Sequence, residues 1–322
     1  MAGLFAKTVR PAILTVSRSD GVRRAAQRWP VTNKVVHRFV PGETIDHVMA
    51  SVAALRDSSR LVSIAYLGED VTDADGADAT VRAYLELLGV LGGRPDATRM
   101  GVRPLEVSLK LSALGQALDR DGDKIARENA HAICERAQQV GVWVTVDAED
   151  HTTTESTLST VTDLRYDFPW LGVVLQAYLR RTFSDCEQAA AAGARIRLCK
   201  GAYDEPVAVA YRDAEDVTHS YLRCLRVLMA GSAYPMVASH DPRILAAAIE
   251  LAESHGYGID DYEYQMLYGV RDDEQRRLTR TGRQLRVYVP FGSQWYGYFM
   301  RRLAERPANL AFFLRAMAAR HA

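Results

Sequence analysis

A regular beat constrains what this chain can fold into. Eight short runs rich in β-branched and aromatic residues recur at 61–67, 105–111, 142–148, 172–178, 195–200, 235–239, 262–268 and 285–291. Helical periodicity fills the gaps at 79–91, 124–140, 184–192, 208–230 and 242–254. In the first of these, Val81, Tyr84, Leu85, Leu87 and Leu88 gather on one helical side. Strands separated by helices run parallel, because each crossover returns the chain to the same end of the sheet. Eight such units predict an α/β fold closed into a (βα)8 TIM barrel, with an open doubly wound sheet as the competing arrangement. Helical patterns at 8–28 and 44–55 predict an N-terminal arm over 1–59, packed on a barrel domain spanning 60–322.

Composition narrows the function classes. At 322 residues and 48% hydrophobic content the chain can bury a large core. Forty basic residues balance forty acidic ones, which argues against a nucleic-acid surface working by phosphate neutralisation. Apolar stretches such as 171–177 are too short to span a bilayer, and 1–16 lacks the apolar core of a secretory signal. Cys134, Cys186, Cys199 and Cys224 show no CxxC spacing, which fits reduced thiols in the cytoplasm. Docking at a membrane surface stays open. There is no GxGxxG after the first strand, no GxxxxGK[ST] and no GxSxG elbow. His240-Asp241 has no companion ligand spacing, so no metal is expected.

A barrel places chemistry at the C-terminal ends of its strands. Alternation puts Ser108 and Lys110 opposite the leucines of the second strand, and Thr145 and Asp147 together on the third. Gln176 ends the fourth strand, Arg197 and Cys199 share a face of the fifth, and the sixth runs into Ser239, His240 and Asp241. Gln265 and Tyr288 complete the set, which describes a lined cavity. Lys110 and Asp147 are expected to approach each other above the barrel. Lys110 or Lys200 also suits Schiff-base chemistry, the rival reading. Gly201 lets backbone approach a ligand closely, and Arg197 would set a fixed positive charge at the mouth.

One more cluster lies near the end of the chain. Tyr298, Arg301, Arg302 and Glu305 fall at helical spacings of three and four. Two guanidiniums beside an aromatic can anchor a carboxylate through paired hydrogen bonds. Glu305, four residues after Arg301, is placed to hold one arginine. By itself the pattern also describes a solvated basic helix with one ion pair.

Taken in order, these motifs resemble the proline dehydrogenase family. They are Leu109-Lys110-Leu111-Ser112, Asp147-Ala148-Glu149, Arg197-Leu198-Cys199-Lys200-Gly201-Ala202-Tyr203, Ser239-His240-Asp241, Tyr264-Gln265-Met266-Leu267-Tyr268-Gly269, Arg286-Val287-Tyr288-Val289-Pro290-Phe291-Gly292, and the closing Tyr298, Arg301, Arg302, Glu305. The resemblance covers roughly 60–309. It implies a distorted (βα)8 barrel that uses FAD to oxidise L-proline to Δ1-pyrroline-5-carboxylate. Arg301 and Arg302 would bind the proline carboxylate, with Lys110 and Glu305 in the ion-pair network behind them. Asp147, Ala148, Tyr203, Leu267, Tyr288 and Tyr298 would wall the ring. Gln176, Arg197, Cys199, Gly201, Ala202, Tyr203, His240, Asp241, Gln265 and Glu305 would form the cofactor site, with Arg197 close to the reactive flavin nitrogen.

The resemblance further implies a membrane quinone as electron acceptor, hence transient peripheral docking. It also implies a separate pyrroline-5-carboxylate dehydrogenase to take the product, since nothing here resembles an aldehyde dehydrogenase or a DNA-binding segment. Departures are Cys199 where valine is common, Asp241 where asparagine is common, and a short spacing from Tyr288 to Tyr298. Tyr288 implies proline over 4-hydroxyproline, because relatives preferring the latter carry a smaller residue there.

Overall fold

Eight parallel strands close into one barrel, β1 to β8 in chain order, with β8 returning to pair with β1. The computed structural model describes residues 36–69, 71–93 and 102–305, with side chains to 302. The strands are β1 Leu61–Tyr66, β2 Leu105–Leu109, β3 Trp143–Val146, β4 Gly172–Gln176, β5 Arg195–Cys199, β6 Tyr234–Ala238, β7 Glu263–Leu267 and β8 Leu285–Phe291. The open-sheet alternative is excluded. Several strands stop a residue or two before the β-rich run does. Lys110 and Asp147 therefore lie just beyond the ladder, at the mouth.

Helix α1 (Ile45–Asp57) precedes the barrel, and α2 (Ala74–Gly92) to α8 fill the crossovers: α3 Gly122–Val140, α4 Thr154–Asp167, α5 Thr182–Ala191, α6 Ala214–Ala230, α7 Pro242–Ser254 and α8 Asp272–Arg280. A final helix, α9 (Trp295–Glu305), follows β8. Asp73 starts α2 by accepting from the Gly76 N–H at 2.7 Å, and Asp241 caps α7 directly before Pro242. Periodicity predicts α6 from 208, yet it begins at Ala214. Residues 206–211 instead turn back, bridging Leu179 to Ala210, and Asp213 caps the helix by accepting from the Glu215 N–H at 2.8 Å. The predicted helix at 8–28 lies outside the described residues. No described helix is long and apolar enough to cross a membrane.

Alternation divides the barrel into two chemistries. Val62, Ile64, Val107, Leu109, Val144, Val146, Ile196, Leu198, Val287 and Val289 face outward into the helix layer and form one continuous core. Val48, Val52 and Leu55 of α1 belong to that core. The inward register is polar: Ser63 pairs with Glu106 and with Tyr288, and Gln265 with Arg286. Glu106, Glu263 and Arg286 are fully buried there. The Arg286 fork donates to both Glu263 oxygens at 2.7 and 2.9 Å. Arg195 donates to Glu106 at 2.6 Å while stacking 3.7 Å from the Trp143 ring centroid. Paired this way, the ions offset a desolvation cost that would be severe for any one alone. Gly172 is part of the fit. A Cβ there would lie 2.7 Å from Thr145 Oγ1 and 3.3 Å from Arg195 Nη1.

Candidate active site

Helix α9 is fixed at the mouth by its aromatics. Trp295, Tyr296, Tyr298 and Phe299 pack with Val36, Phe39, Val40 and Leu67 in a second cluster. This seating turns Arg301 inward, where its fork donates to both oxygens of Glu69, one at 3.0 Å. The Lys110 ammonium lies 3.4 Å from the same carboxylate. Burial alone would push the Glu69 carboxyl up, but Arg301 and Lys110 more than reverse this and hold it at about 2, against 4.5 ordinarily. Lys110 is raised well above its usual value: burial opposes this, and Tyr288, Glu69 and Asp147 overcome it. Two cations thus share the Glu69 carboxylate at the mouth.

Below them lies Arg197, buried inside the barrel with all five N–H donors engaged. Its Nε donates to Gln265 Oε1 at 2.5 Å, and Nη1 donates to Ser108 Oγ and Asp147 Oδ1, both at 2.7 Å. Nη2 donates to Ser63 Oγ at 3.1 Å and Glu106 Oε1 at 2.5 Å. Asp147 is completed by the Tyr288 hydroxyl, which donates to Oδ2 at 2.8 Å. The Tyr288 and Tyr298 rings stack with centroids 6.5 Å apart and planes 16° from parallel. Arg302 is buried, its guanidinium 4.9 Å from the Tyr298 centroid. The Arg301 guanidinium stands 5.6 Å from the Tyr203 centroid, so α9 spans the mouth from the end of β1 to the loop after β5.

One sequence expectation changes, and one falls on a side chain outside the described residues. Lys110 makes its ion pair with Glu69, not Asp147, whose direct cation is Arg197. The holding role given to Glu305 is filled for Arg301 by Glu69; the Glu305 side chain lies outside the described residues. Ala148 and Leu267 are half-buried at the ends of β3 and β7. Gln176 donates to the Glu149 carbonyl at 2.7 Å, and His240 Nε2 accepts from the Leu267 N–H at 3.0 Å. Asp241 accepts from the Arg243 N–H at 3.0 Å and from Lys200 Nζ at 2.8 Å, so its carboxylate serves the α7 cap. Gly201 holds φ of +108°, with Ala202 and Tyr203 beside it on the same loop. Burial pushes the Cys199 thiol up to about 12, so it stays protonated.

Neither lysine is prepared for a Schiff base. Lys110 is held as an ammonium, and Lys200 is bound to Asp241 and to Thr218 Oγ1 at 3.0 Å. Sequence reasoning missed Glu69, Glu106 and Glu263. Glu106 shares the inward alternation of Ser108 and Lys110, and Glu263 that of Gln265. Glu69 lies three residues past the end of β1, where strand alternation no longer marks which way a side chain faces.

Residues 48–315 match the sequence profile described as proline dehydrogenase. The chain belongs to that family. A proline dehydrogenase of Deinococcus radiodurans is 36% identical over 312 residues, spanning 96% of this chain and 97% of the relative. Proline dehydrogenase 2 of Bacillus subtilis strain 168 is 32% identical over 308 residues, covering 96% and 98%. Among solved structures, proline utilization A from Bdellovibrio bacteriovorus, inactivated by N-propargylglycine, superposes with a TM-score of 0.79 at 25% identity. That match covers 85% of this chain and 33% of the larger protein. The proline dehydrogenase barrel is thus common to stand-alone chains of this length and to a section of much longer ones.

Proposed function

We propose that this proline dehydrogenase is a flavoenzyme, taking L-proline to Δ1-pyrroline-5-carboxylate at the mouth of the barrel. The observation that carries the reading is the sharing of Glu69 by Lys110 and Arg301. A site where two cations gather on one carboxylate, walled by stacked Tyr288 and Tyr298, suits a small ring bearing one carboxylate. Arg301 and Arg302 receive that carboxylate, Lys110 and Glu69 hold the clamp, and Asp147, Ala148, Tyr203, Leu267, Tyr288 and Tyr298 enclose the ring.

The donor chemistry also fits FAD. Gln176 ends β4 and His240 lies just past β6, while Arg197 and Gln265 sit mid-strand on the inward face of β5 and β7, with Gly201 and Ala202 offering little relief beside them. Arg197 and Gln265, bonded to each other and to the barrel floor, would set a fixed polar surface beneath an isoalloxazine, and Cys199, Tyr203, Asp241 and Glu305 complete the proposed surroundings. When bound, FAD supplies the acceptor for the hydride leaving the ring carbon next to the substrate nitrogen. The chain's own share is orientation and electrostatics: Arg301 and Arg302 fix the acid end, and Tyr288 fixes the ring plane. Arg197, balanced by Asp147 and Glu106, keeps the cavity floor close to neutral. A membrane quinone met at the bilayer surface is the proposed final acceptor, and a separate dehydrogenase the consumer of the product.

An anaerobic absorption spectrum tests the reading. Purified protein is expected to show flavin bands that bleach on adding L-proline. A colourless protein that takes up no FAD, or bands unmoved by proline, would overturn it. Turnover with a soluble quinone in place of oxygen tests the acceptor.

A further inference from the structure

The loop between β5 and α6 contains a buried carboxylate that the proposed reaction does not use. Glu205 is 3% exposed at its side chain, and its oxygens gather three donors from two other loops. The His151 N–H donates to Oε1 at 3.0 Å, and the Tyr178 hydroxyl donates to the same oxygen at 3.2 Å. The His151 ring meets the other oxygen through Nδ1. His151 belongs to the connection after β3, and Tyr178 to the one after β4. One side chain therefore ties three successive strand connections together. A buried carboxylate accepting several hydrogen bonds is a strong anchor, because none of those bonds can be exchanged cheaply for water.

The position of the anchor gives it meaning. Upstream, the Lys200 carbonyl accepts from the Tyr178 N–H at 2.9 Å, and downstream the Tyr211 N–H donates to the Tyr178 carbonyl at 2.8 Å. Between Lys200 and Glu205 the chain carries Gly201, Ala202 and Tyr203. The Tyr178 ring lies against this span so closely that a Cβ on Gly201 would fall 2.3 Å from it. Tyr203, near the crest of the span, faces the Arg301 guanidinium. Tyr178 thus supports the span with its ring and fixes Glu205 with its hydroxyl.

We propose that Glu205, clasped by His151 and Tyr178, is a positioning residue that sets the height of residues 201–203 and thereby the seat of Tyr203 against Arg301. This rests on the reading that Arg301 receives the substrate carboxylate. The role is one of substrate binding, so its loss should appear in KM before kcat.

Steady-state kinetics of flavin-loaded enzyme test this with Glu205→Gln, Glu205→Asp and Tyr178→Phe. The glutamine variant turns part of the acceptor into a donor facing donors, while the phenylalanine variant keeps the ring against Gly201 and removes only the hydroxyl. KM for L-proline is expected to rise about tenfold in Glu205→Gln and about threefold in Tyr178→Phe, with kcat within about twofold. Glu205→Asp should recover part of the loss. The dissociation constant of cyclopentanecarboxylate, a ring acid without the amine, should rise in step with KM. If Glu205→Gln does not fold, Tyr178→Phe carries the test. Wild-type KM in the folded variants, or loss of kcat at constant KM, would overturn the clasp. An Arg301→Ala control separates the two readings. Unchanged KM there would sink the carboxylate assignment and the clasp with it, whereas a raised KM there beside insensitive Glu205 and Tyr178 variants would sink the clasp alone.

Discussion

Glu69 holds Arg301 by both of its oxygens and at the same time stands 3.4 Å from the Lys110 ammonium. Its carboxyl is held at about 2 in the folded protein, below the ordinary 4.5. A group whose folded value is depressed stabilises above its unfolded value and ceases to do so as pH falls through the folded one. The contribution is therefore complete above about pH 4.5 and lost between there and about pH 2, amounting to roughly 2–3 kcal/mol. Thermal melts across that window should show a steeper acid loss in wild type than in Glu69→Gln. Parallel curves would show that the pair adds nothing.

Removing a guanidinium from α9 should be read in substrate affinity. For Arg301→Ala or Arg302→Ala, a lost charge-assisted contact predicts a fall in kcat/KM worth about 1.5–3 kcal/mol, expressed mainly as a raised KM. Arg301→Lys keeps the charge and loses the fork, so it should fall between wild type and alanine. Unchanged kinetics in both alanine variants would return α9 to the status of an ordinary surface helix.

How much of this was legible depended on which force carried the information. The barrel was readable because the outward positions of every strand, such as Val107 and Leu109 or Val287 and Val289, repeat at a period set by geometry. The inward polar residues were readable by the same alternation. Their partners were not, because closure brings together residues far apart in sequence: Arg197 meets Ser63 and Glu106, and Arg301 meets Glu69. Spacing along the helix pointed to Glu305 as the holder of one arginine, and strand adjacency pointed to Asp147 for Lys110. Glu69, on the loop after β1 and beside the end of β2, takes both Arg301 and Lys110, since a shared carboxylate satisfies two buried cations at once. The late start of α6 was hidden for a similar reason. Its apolar periodicity runs on into 208–211, while the bridge from Leu179 to Ala210 holds those residues in a turn.

Tyr288 bears on substrate choice. Its ring is stacked on Tyr298 and its hydroxyl hydrogen is committed to Asp147 at 2.8 Å, so the wall it forms has no donor left for a hydroxyl on the substrate ring. Burying such a hydroxyl without a hydrogen bond costs about 1–3 kcal/mol. L-Proline should therefore exceed 4-hydroxyproline in kcat/KM by at least about tenfold, and Tyr288→Ser should narrow that ratio by opening space. Equal kcat/KM values for the two substrates in wild type would remove Tyr288 from the specificity account.

The barrel floor gives the sharpest contrast in stability. Glu106 is fully buried, accepting from Arg195 at 2.6 Å and Arg197 at 2.5 Å, and Thr145 Oγ1 donates to it at 2.9 Å. Burial would push its carboxyl up, and three arginines, Arg286, Arg197 and Arg195, pull it far below the usual range. Glu106→Gln takes from the buried Arg195 guanidinium its carboxylate partner and leaves Arg197 with Asp147 alone, a loss of about 3–5 kcal/mol for a broken buried pair. Glu215 pairs with Arg243 at 2.8 Å on the surface, where water and salt screen the attraction. Urea midpoints should therefore drop steeply in Glu106→Gln and stay near wild type in Glu215→Gln, although the two ion pairs are of similar length. Equal shifts in the two variants would show that burial of the barrel ions carries no special weight.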